Sequence, residues 1–425
     1  MKYKCSKYNI VKKMNDGNYV LYNTRLMALA SCSLKEYEYY KNLPGLIDNI
    51  NEPFLRDLYE CGYLIDSECD EIKILKYRLN NMRYSSNTLR LIIALTMECN
   101  FACSYCYEKN NKDSKTGKMS SSIQKALLEF IYKRALHCEK LEIVWYGGEP
   151  LLCQDVIESL SASIISFCNT NNIIYDASII TNGYLLNKHS SDFLKKNKIE
   201  MLQVTIDGNE QIHNKRRPLK NGTQTYFTII KNILPLQNDF HIVVRSNIDK
   251  SNVVNIENMF NSLKEMGLKN FTFSAAPTVG DNVNSYSEQE FADVWCDINE
   301  MANLYGIDSG QNIIPTCANF CDADSNNSFV IDNDGYLYKC WHHIGEKRYS
   351  IAQLGDDLEE INRSCFYEFM TYDATEDYQC KNCVYLPICM GGCPYNRINQ
   401  NERCTRYKYV LERIINKLYI DSQNR

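Results

Sequence analysis

Apolar and polar positions follow two different rhythms along this chain. Between residues 88 and 310, short apolar runs of strand length alternate with longer runs of helical period. The strand-like runs are Leu89–Thr96, Leu141–Trp145, Ile173–Thr181, Met201–Ile206, His241–Ser246 and Phe271–Ala275. Between them Ser122–Ala135, Asp155–Cys168 and Asn255–Met266 carry apolar residues at helical spacing. Such alternation predicts an α/β fold with a parallel sheet and right-handed crossovers, and six units predict a partial (β/α)6 barrel of the TIM type.

The two ends read differently. In residues 1–82, Tyr8–Lys13 and Tyr19–Tyr22 flank the turn Asn15-Asp16-Gly17-Asn18, a hairpin signal. Pro53 then opens the helical run PFLRDLYECG, which Gly62 stops, and YLIDS returns as a strand. This predicts a small winged-helix-like module. Residues 311–425 are rich in cysteine and poor in long apolar runs. Phe329–Asp332, a turn at Asp334-Gly335 and Tyr336–Lys339 predict a hairpin, and Tyr407–Tyr419 a closing helix. Small loop-rich regions of this kind usually need metal staples.

Composition narrows the class. At 44% hydrophobic residues the chain can bury a sizeable core, and 425 residues suit two or three domains. A formal net charge of −5 gives no reason to expect nucleic-acid binding. Neither a long apolar span nor an apolar signal region is evident, so no membrane partner and a cytoplasmic setting are expected. In that setting twenty cysteines point to metal ligation rather than disulfides.

Three of these cysteines share one short run, LTMECNFACSYCYE, directly after the first barrel strand. Cys99, Cys103 and Cys106 are spaced C-x3-C-x2-C. A cubane iron–sulfur cluster takes four ligands, so three thiolates leave one iron open to an exchangeable molecule. A zinc knuckle is the rival, but zinc wants a fourth Cys or His. Further polar runs follow the later strands, the edge at which parallel α/β barrels bind ligands.

With Tyr105 before its last cysteine, this run resembles the radical S-adenosylmethionine (SAM) superfamily. The resemblance implies a 4Fe–4S cluster on Cys99, Cys103 and Cys106, the catalytic set, and SAM bound beside it. Gly147, Gly148 and Glu149 resemble the motif that receives the SAM amino group. Thr181 and Asn182 match residues that meet its ribose. Asp207, with Gly208, His213 and Arg216 after it, resembles the fourth-strand region of peptide-modifying members. Arg245 and Asn247 resemble fifth-strand contacts to SAM.

Cys380, Cys383, Cys389 and Cys393 form C-x2-C-x5-C-x3-C, with Cys404 beyond and Cys317, Cys321 and Cys340 upstream. Eight cysteines suffice for two more cubanes, and structural zinc is again the rival. The pattern resembles the SPASM extension of radical SAM enzymes that act on peptides and proteins. That implies an outer auxiliary cluster on Cys380, Cys383, Cys389 and Cys404. An inner one would rest on Cys340, Cys393 and either or both of Cys317 and Cys321. Cys365 and the remaining cysteines (Cys5, Cys32, Cys61, Cys69, Cys138, Cys153, Cys168, Cys296) are read as packed thiols.

The expected activity is cleavage of SAM to a 5′-deoxyadenosyl radical that takes hydrogen from a substrate carbon. The N-terminal module resembles leader-binding elements of ribosomal-peptide maturases. The expected partners are therefore a precursor peptide with its leader and an electron donor such as flavodoxin or ferredoxin. A Cys-to-carbon thioether is the favoured product, with carbon–carbon crosslinking and epimerisation as rivals. Formylglycine formation is a second reading, although Trp341 follows Cys340 where that branch carries a basic Asp. A non-catalytic iron–sulfur or zinc scaffold is the reading from another class. Three cubanes require about 12 irons per chain by metal analysis, and a single one about 4.

Overall fold

The computed structural model describes residues 2–110, 116–279, 284–310, 314–317, 320–357, 361 and 363–423. Two compact units emerge. One comprises Met1–Arg83, Asn312–Cys321 and Thr371–Arg425, and the other Tyr84–Gln311 and Asp322–Met370. The boundary expected at residue 311 falls outside the described residues, and the units do not follow the three-way division. The expected first and third domains share one unit, while residues 322–370 join the barrel strands.

The first unit holds β1 (Tyr3–Cys5), β2 (Asn9–Lys13), β3 (Tyr19–Asn23), β4 (Ala28–Cys32) and β5 (Leu64–Asp66). β2, β3 and β4 form an antiparallel meander, and β1 pairs with β5. The hairpin turn is closed by Met14 N–H donating to Asn18 O at 2.8 Å. Helix Pro53–Glu60 starts on its proline and buries Leu55 and Leu58. The cysteine-rich tail has little apolar surface of its own and completes its core here. Val20 and Tyr22 of β3 pack with Ile388, Leu411 and Ile415. Tyr8, Leu75 and Leu79 pack with Ala374, Leu386 and Met390. Cys5 and Cys61 are exposed rather than packed.

The second unit is built on β6 (Thr88–Ala94), β7 (Lys140–Tyr146), β8 (Ile174–Thr181), β9 (Ile199–Thr205), β10 (His241–Ile248) and β11 (Thr272–Pro277), which pair parallel in chain order. Their alternate Leu, Ile and Val side chains are buried. Helix Gln154–Thr170 buries Ile157, Leu160 and Ile164. Among the described residues one helical run, Pro150–Thr170, is long and apolar enough to cross a membrane; here its apolar stripe packs in the barrel wall.

The expected hairpin forms as β12 (Ser328–Ile331) and β13 (Tyr336–Tyr338), with β14 (Ala352–Gln353) beyond. β12 also pairs parallel with β6, Phe329 opposite Leu91, and so β12, β13 and β14 extend the six barrel strands to a nine-stranded sheet. Cys340 and Trp341 follow directly. Phe329 is buried, edge-on to Phe130 at 5.6 Å and under the Arg134 guanidinium at 5.0 Å. Phe329→Ala is expected to cost about 3–5 kcal/mol. Denaturant unfolding followed by tryptophan fluorescence measures it.

Candidate active site

The loop after β6 carries Cys99, Cys103 and Cys106, and two segments grip its backbone. On one side Gly147 and Gly148 follow β7. Gly148 N–H donates to Thr96 O at 3.0 Å, and Glu149 N–H to Glu98 O at 2.9 Å. A Cβ on Gly148 would meet Glu98 O at 2.4 Å, so only glycine permits this approach. On the other side the stretch after helix Glu210–Arg216 lies along the loop like a strand. Ala102 N–H donates to Pro218 O at 2.8 Å, Ser104 N–H to Arg216 O at 3.0 Å, and Lys220 N–H to Asn100 O at 2.9 Å.

The polar residues read as SAM contacts brace one another. Glu149 is fully buried, and burial pushes its carboxyl upward. It accepts from Thr181 Oγ1 at 2.7 Å, Asn182 N–H at 2.8 Å and Leu151 N–H at 3.0 Å. Asn182 Nδ2 reaches Asn100 Oδ1 at 2.7 Å and lies 3.9 Å from Cys99 Sγ. Cys99 also accepts from Phe101 N–H at 3.4 Å, and burial pushes its thiol up to about 12. A metal must therefore displace that proton.

Tyr105 is the centre of a second network. Its hydroxyl donates to Asp207 and accepts from Arg217 Nη1 at 2.5 Å and Asn247 Nδ2 at 3.1 Å. Asp207 also accepts Asn247 N–H at 2.9 Å. The Arg216 guanidinium stacks 4.8 Å from the Tyr105 ring and binds Asp249 at 2.8 Å. Burial pushes the Tyr105 hydroxyl well above its usual range, which keeps it a donor. His213 accepts Asp207 N–H at 3.3 Å and meets Thr225 at 3.2 Å; burial holds it well below its ordinary value, as a neutral structural group. Arg217 was missed in the sequence; the pair Arg216-Arg217 before Pro218, directly after a helix, was the available signal.

Beyond Cys106 the site turns aromatic. Tyr107 and Tyr146 share a hydrogen bond, and Tyr146 donates to Glu108 at 2.7 Å. The His342 ring lies 5.4 Å from Tyr107, and Trp341 lies 6.2 Å from Tyr146. Burial, with Arg245 second, lowers His342 to about 4. Arg245 itself reaches Ser274 Oγ at 3.5 Å.

In the other unit, Cys380, Cys383, Cys389 and Cys404 line one cavity of about 320 Å³. Asp377 caps the helix Tyr378–Lys381 by accepting Gln379 and Cys380 N–H at 3.0 Å. Gly392 lets the chain return: a Cβ there would meet Arg403 O at 1.8 Å, and Cys393 N–H donates to that carbonyl at 2.8 Å. Cys404 is thereby brought beside the other three. Among the described residues no three His, Cys, Asp or Glu converge closely enough for a single ion. A cavity far larger than the roughly 30 Å³ of one water fits a multi-atom group. Cys317 accepts from Arg78 Nη1 at 3.2 Å, and Cys321 and Cys393 are exposed, all in this unit; Cys340 is buried in the barrel unit.

Residues 89–229 match the family described as a 4Fe-4S single cluster domain. A cysteine-type anaerobic sulfatase-maturating enzyme of Clostridium novyi is 26% identical over 77% of this chain and 95% of its own. The radical SAM cyclopropyl synthase TigE of Paramaledivibacter caminithermalis is 23% identical over 97% of this chain and 95% of its own. Streptococcus suis SuiB, solved with precursor peptide SuiA, superposes with a TM-score of 0.55 at 15% identity, over 95% of this chain and 98% of its own. A partial parallel barrel with a braced three-cysteine loop at its strand ends thus defines an iron–sulfur radical SAM enzyme. Within that class the relatives the chain is similar to include a sulfatase-maturating enzyme and a cyclopropyl synthase.

Tyr105→Phe strands Asp207, Arg217 and Asn247, and is expected to cost about 1–3 kcal/mol. Gly148→Ala forces the cysteine loop off β7. Both variants are expected to retain less iron after anaerobic reconstitution, measured per folded chain, with Gly148→Ala the more severe.

Proposed function

We propose that this enzyme matures a ribosomally made precursor peptide by forming a Cys-to-carbon thioether. The observation that carries the peptide reading is the extent of likeness. The sulfatase-maturating relative aligns with 77% of the chain, whereas TigE and SuiB align with 97% and 95%, which must include most of the N-terminal module. In this reading the β2–β3–β4 meander offers a sheet edge to which a leader peptide adds as a strand. The chain works in the cytoplasm with a small one-electron donor protein of the flavodoxin or ferredoxin kind.

Cys99, Cys103 and Cys106 hold the cluster that binds SAM. Cys380, Cys383, Cys389 and Cys404 hold an outer auxiliary cluster. When bound, SAM and these clusters supply a carbon radical that removes a hydrogen atom from an unactivated carbon, and a sink for the electron released as the C–S bond forms. The residues around them orient and exclude water. Glu149 fixes the ends of β7 and β8, and Tyr105 fixes the cysteine loop against β9 and β10. Trp341 and Tyr146 present aromatic surface where the sulfatase branch carries its base. An indole accepts no proton, which weighs against formylglycine.

The test is anaerobic turnover with SAM, a reductant and a Cys-containing precursor peptide, read by mass spectrometry and thiol alkylation. Loss of a hydrogen pair with the thiol no longer alkylated is the expected outcome. Loss of sulfur with a new aldehyde overturns it in favour of formylglycine. Hydrogen loss with the thiol still alkylated overturns the thioether and makes the product carbon–carbon linked.

A further inference from the structure

Two cations face sulfur in the cavity lined by Cys380, Cys383, Cys389 and Cys404, and neither belongs to the cysteine pattern. Lys408 Nζ donates to Cys404 Sγ at 3.5 Å, from the first turn of helix Tyr407–Gln423. Arg403 Nη2 donates to Cys380 Sγ at 3.6 Å and pairs with Asp377 at 2.8 Å. Both line the cavity itself. Tyr372 adds a hydroxyl 3.6 Å from Cys380, with Arg403 5.5 Å from its ring.

We infer that Lys408 and the Arg403–Asp377 pair set the reduction potential of the outer auxiliary cluster, by placing charge directly on two of its four sulfur ligands. The inference rests on the proposed presence of that cluster. A cubane with four thiolates is anionic when oxidised and gains a further negative charge on reduction. A cation hydrogen-bonded to a ligand sulfur favours the more negative state and so raises the potential. The two cations are not equivalent. Arg403 shares its Nη2 between Cys380 Sγ and Asp377, which offsets its charge, whereas Lys408 Nζ donates to Cys404 Sγ. Lys408 is also exposed, so its replacement leaves the packing of the tail on β3 intact. The cavity is thereby an electron-holding site whose poise is written in residues outside the cysteine spacing.

The experiment is a redox titration of the reconstituted full chain followed by EPR. Cys99, Cys103 and Cys106 are replaced by alanine to remove the signal of the first cluster. Lys408→Gln is expected to shift one auxiliary signal to lower potential, and Lys408→Arg to restore it. Asp377→Asn keeps the helix cap, uncovers Arg403, and is expected to shift the same signal upward. Unchanged potentials in both Lys408→Gln and Asp377→Asn, at unchanged iron content, overturn the inference. If Cys380→Ala with Cys404→Ala removes no iron relative to the parent, the auxiliary-cluster reading itself fails instead.

Discussion

Three thiols can serve one cluster only if a short polar loop is held still, and the hydroxyl of Tyr105 does much of that holding. The loop has few apolar side chains with which to anchor itself. The protein anchors it through buried polar contacts instead. Tyr105 ties the loop to β9 through Asp207, to β10 through Asn247, and to the strand-like stretch after helix Glu210–Arg216 through Arg217. Buried charges are costly unless paired. Here Arg216 and Arg217 stand against Asp207 and Asp249, all four buried, so the network carries balanced charge. Removing a single member leaves the rest desolvated and unsatisfied, which makes the arrangement all-or-none.

The outer cysteine site solves the same problem with less machinery. Its helices are single turns, such as Tyr378–Lys381 and Leu386–Cys389. A cap by Asp377 and a close backbone approach at Gly392 fix where each cysteine points. What these turns lack in core they obtain from the first residues of the chain, where Val20 and Tyr22 receive Ile388 and the closing helix. Metal staples were expected in this region, and an apolar core shared with the first residues of the chain carries part of the task.

The barrel strands were legible because buried apolar residues recur at every second position, as Leu141, Ile143 and Trp145 do in β7. All six fall within a few residues of the expected positions. β4, with sequence ALASC, was not legible, since its side chains are mostly half-buried and carry little pattern. β12 was recognised as half of a hairpin but not as the neighbour of β6, because its partner lies far back in the chain and pairing over that distance leaves no local trace. Spacing singled out Cys99, Cys103 and Cys106, which the fold carries on one loop after β6. The contacts that Glu149, Thr181, Asp207 and Asn247 make with one another left no such mark. The sequence marks these residues as polar groups at strand ends, but only the folded chain shows that they hydrogen-bond to each other and to the cysteine loop.

The pairing of β12 with β6 matters for the chemistry as well as the fold. It delivers Trp341 and His342 to the aromatic group that follows Cys106, beside Tyr146 and Tyr107. Burial pushes the Glu108 carboxyl upward there and holds His342 down near 4, so both charged forms are disfavoured. A group of this kind is low in charge, with Tyr146 buried and Trp341 open to solvent. A carbon radical takes hydrogen from whatever donor lies nearest, so its environment must offer few mobile partners besides the substrate. The hydroxyls of Tyr107 and Tyr146 are committed to each other and to Glu108. The residue directly after Cys340 is thus an indole set beside Tyr146, and the carboxylate of this group, Glu108, is held by the Tyr146 hydroxyl instead of standing open to a substrate.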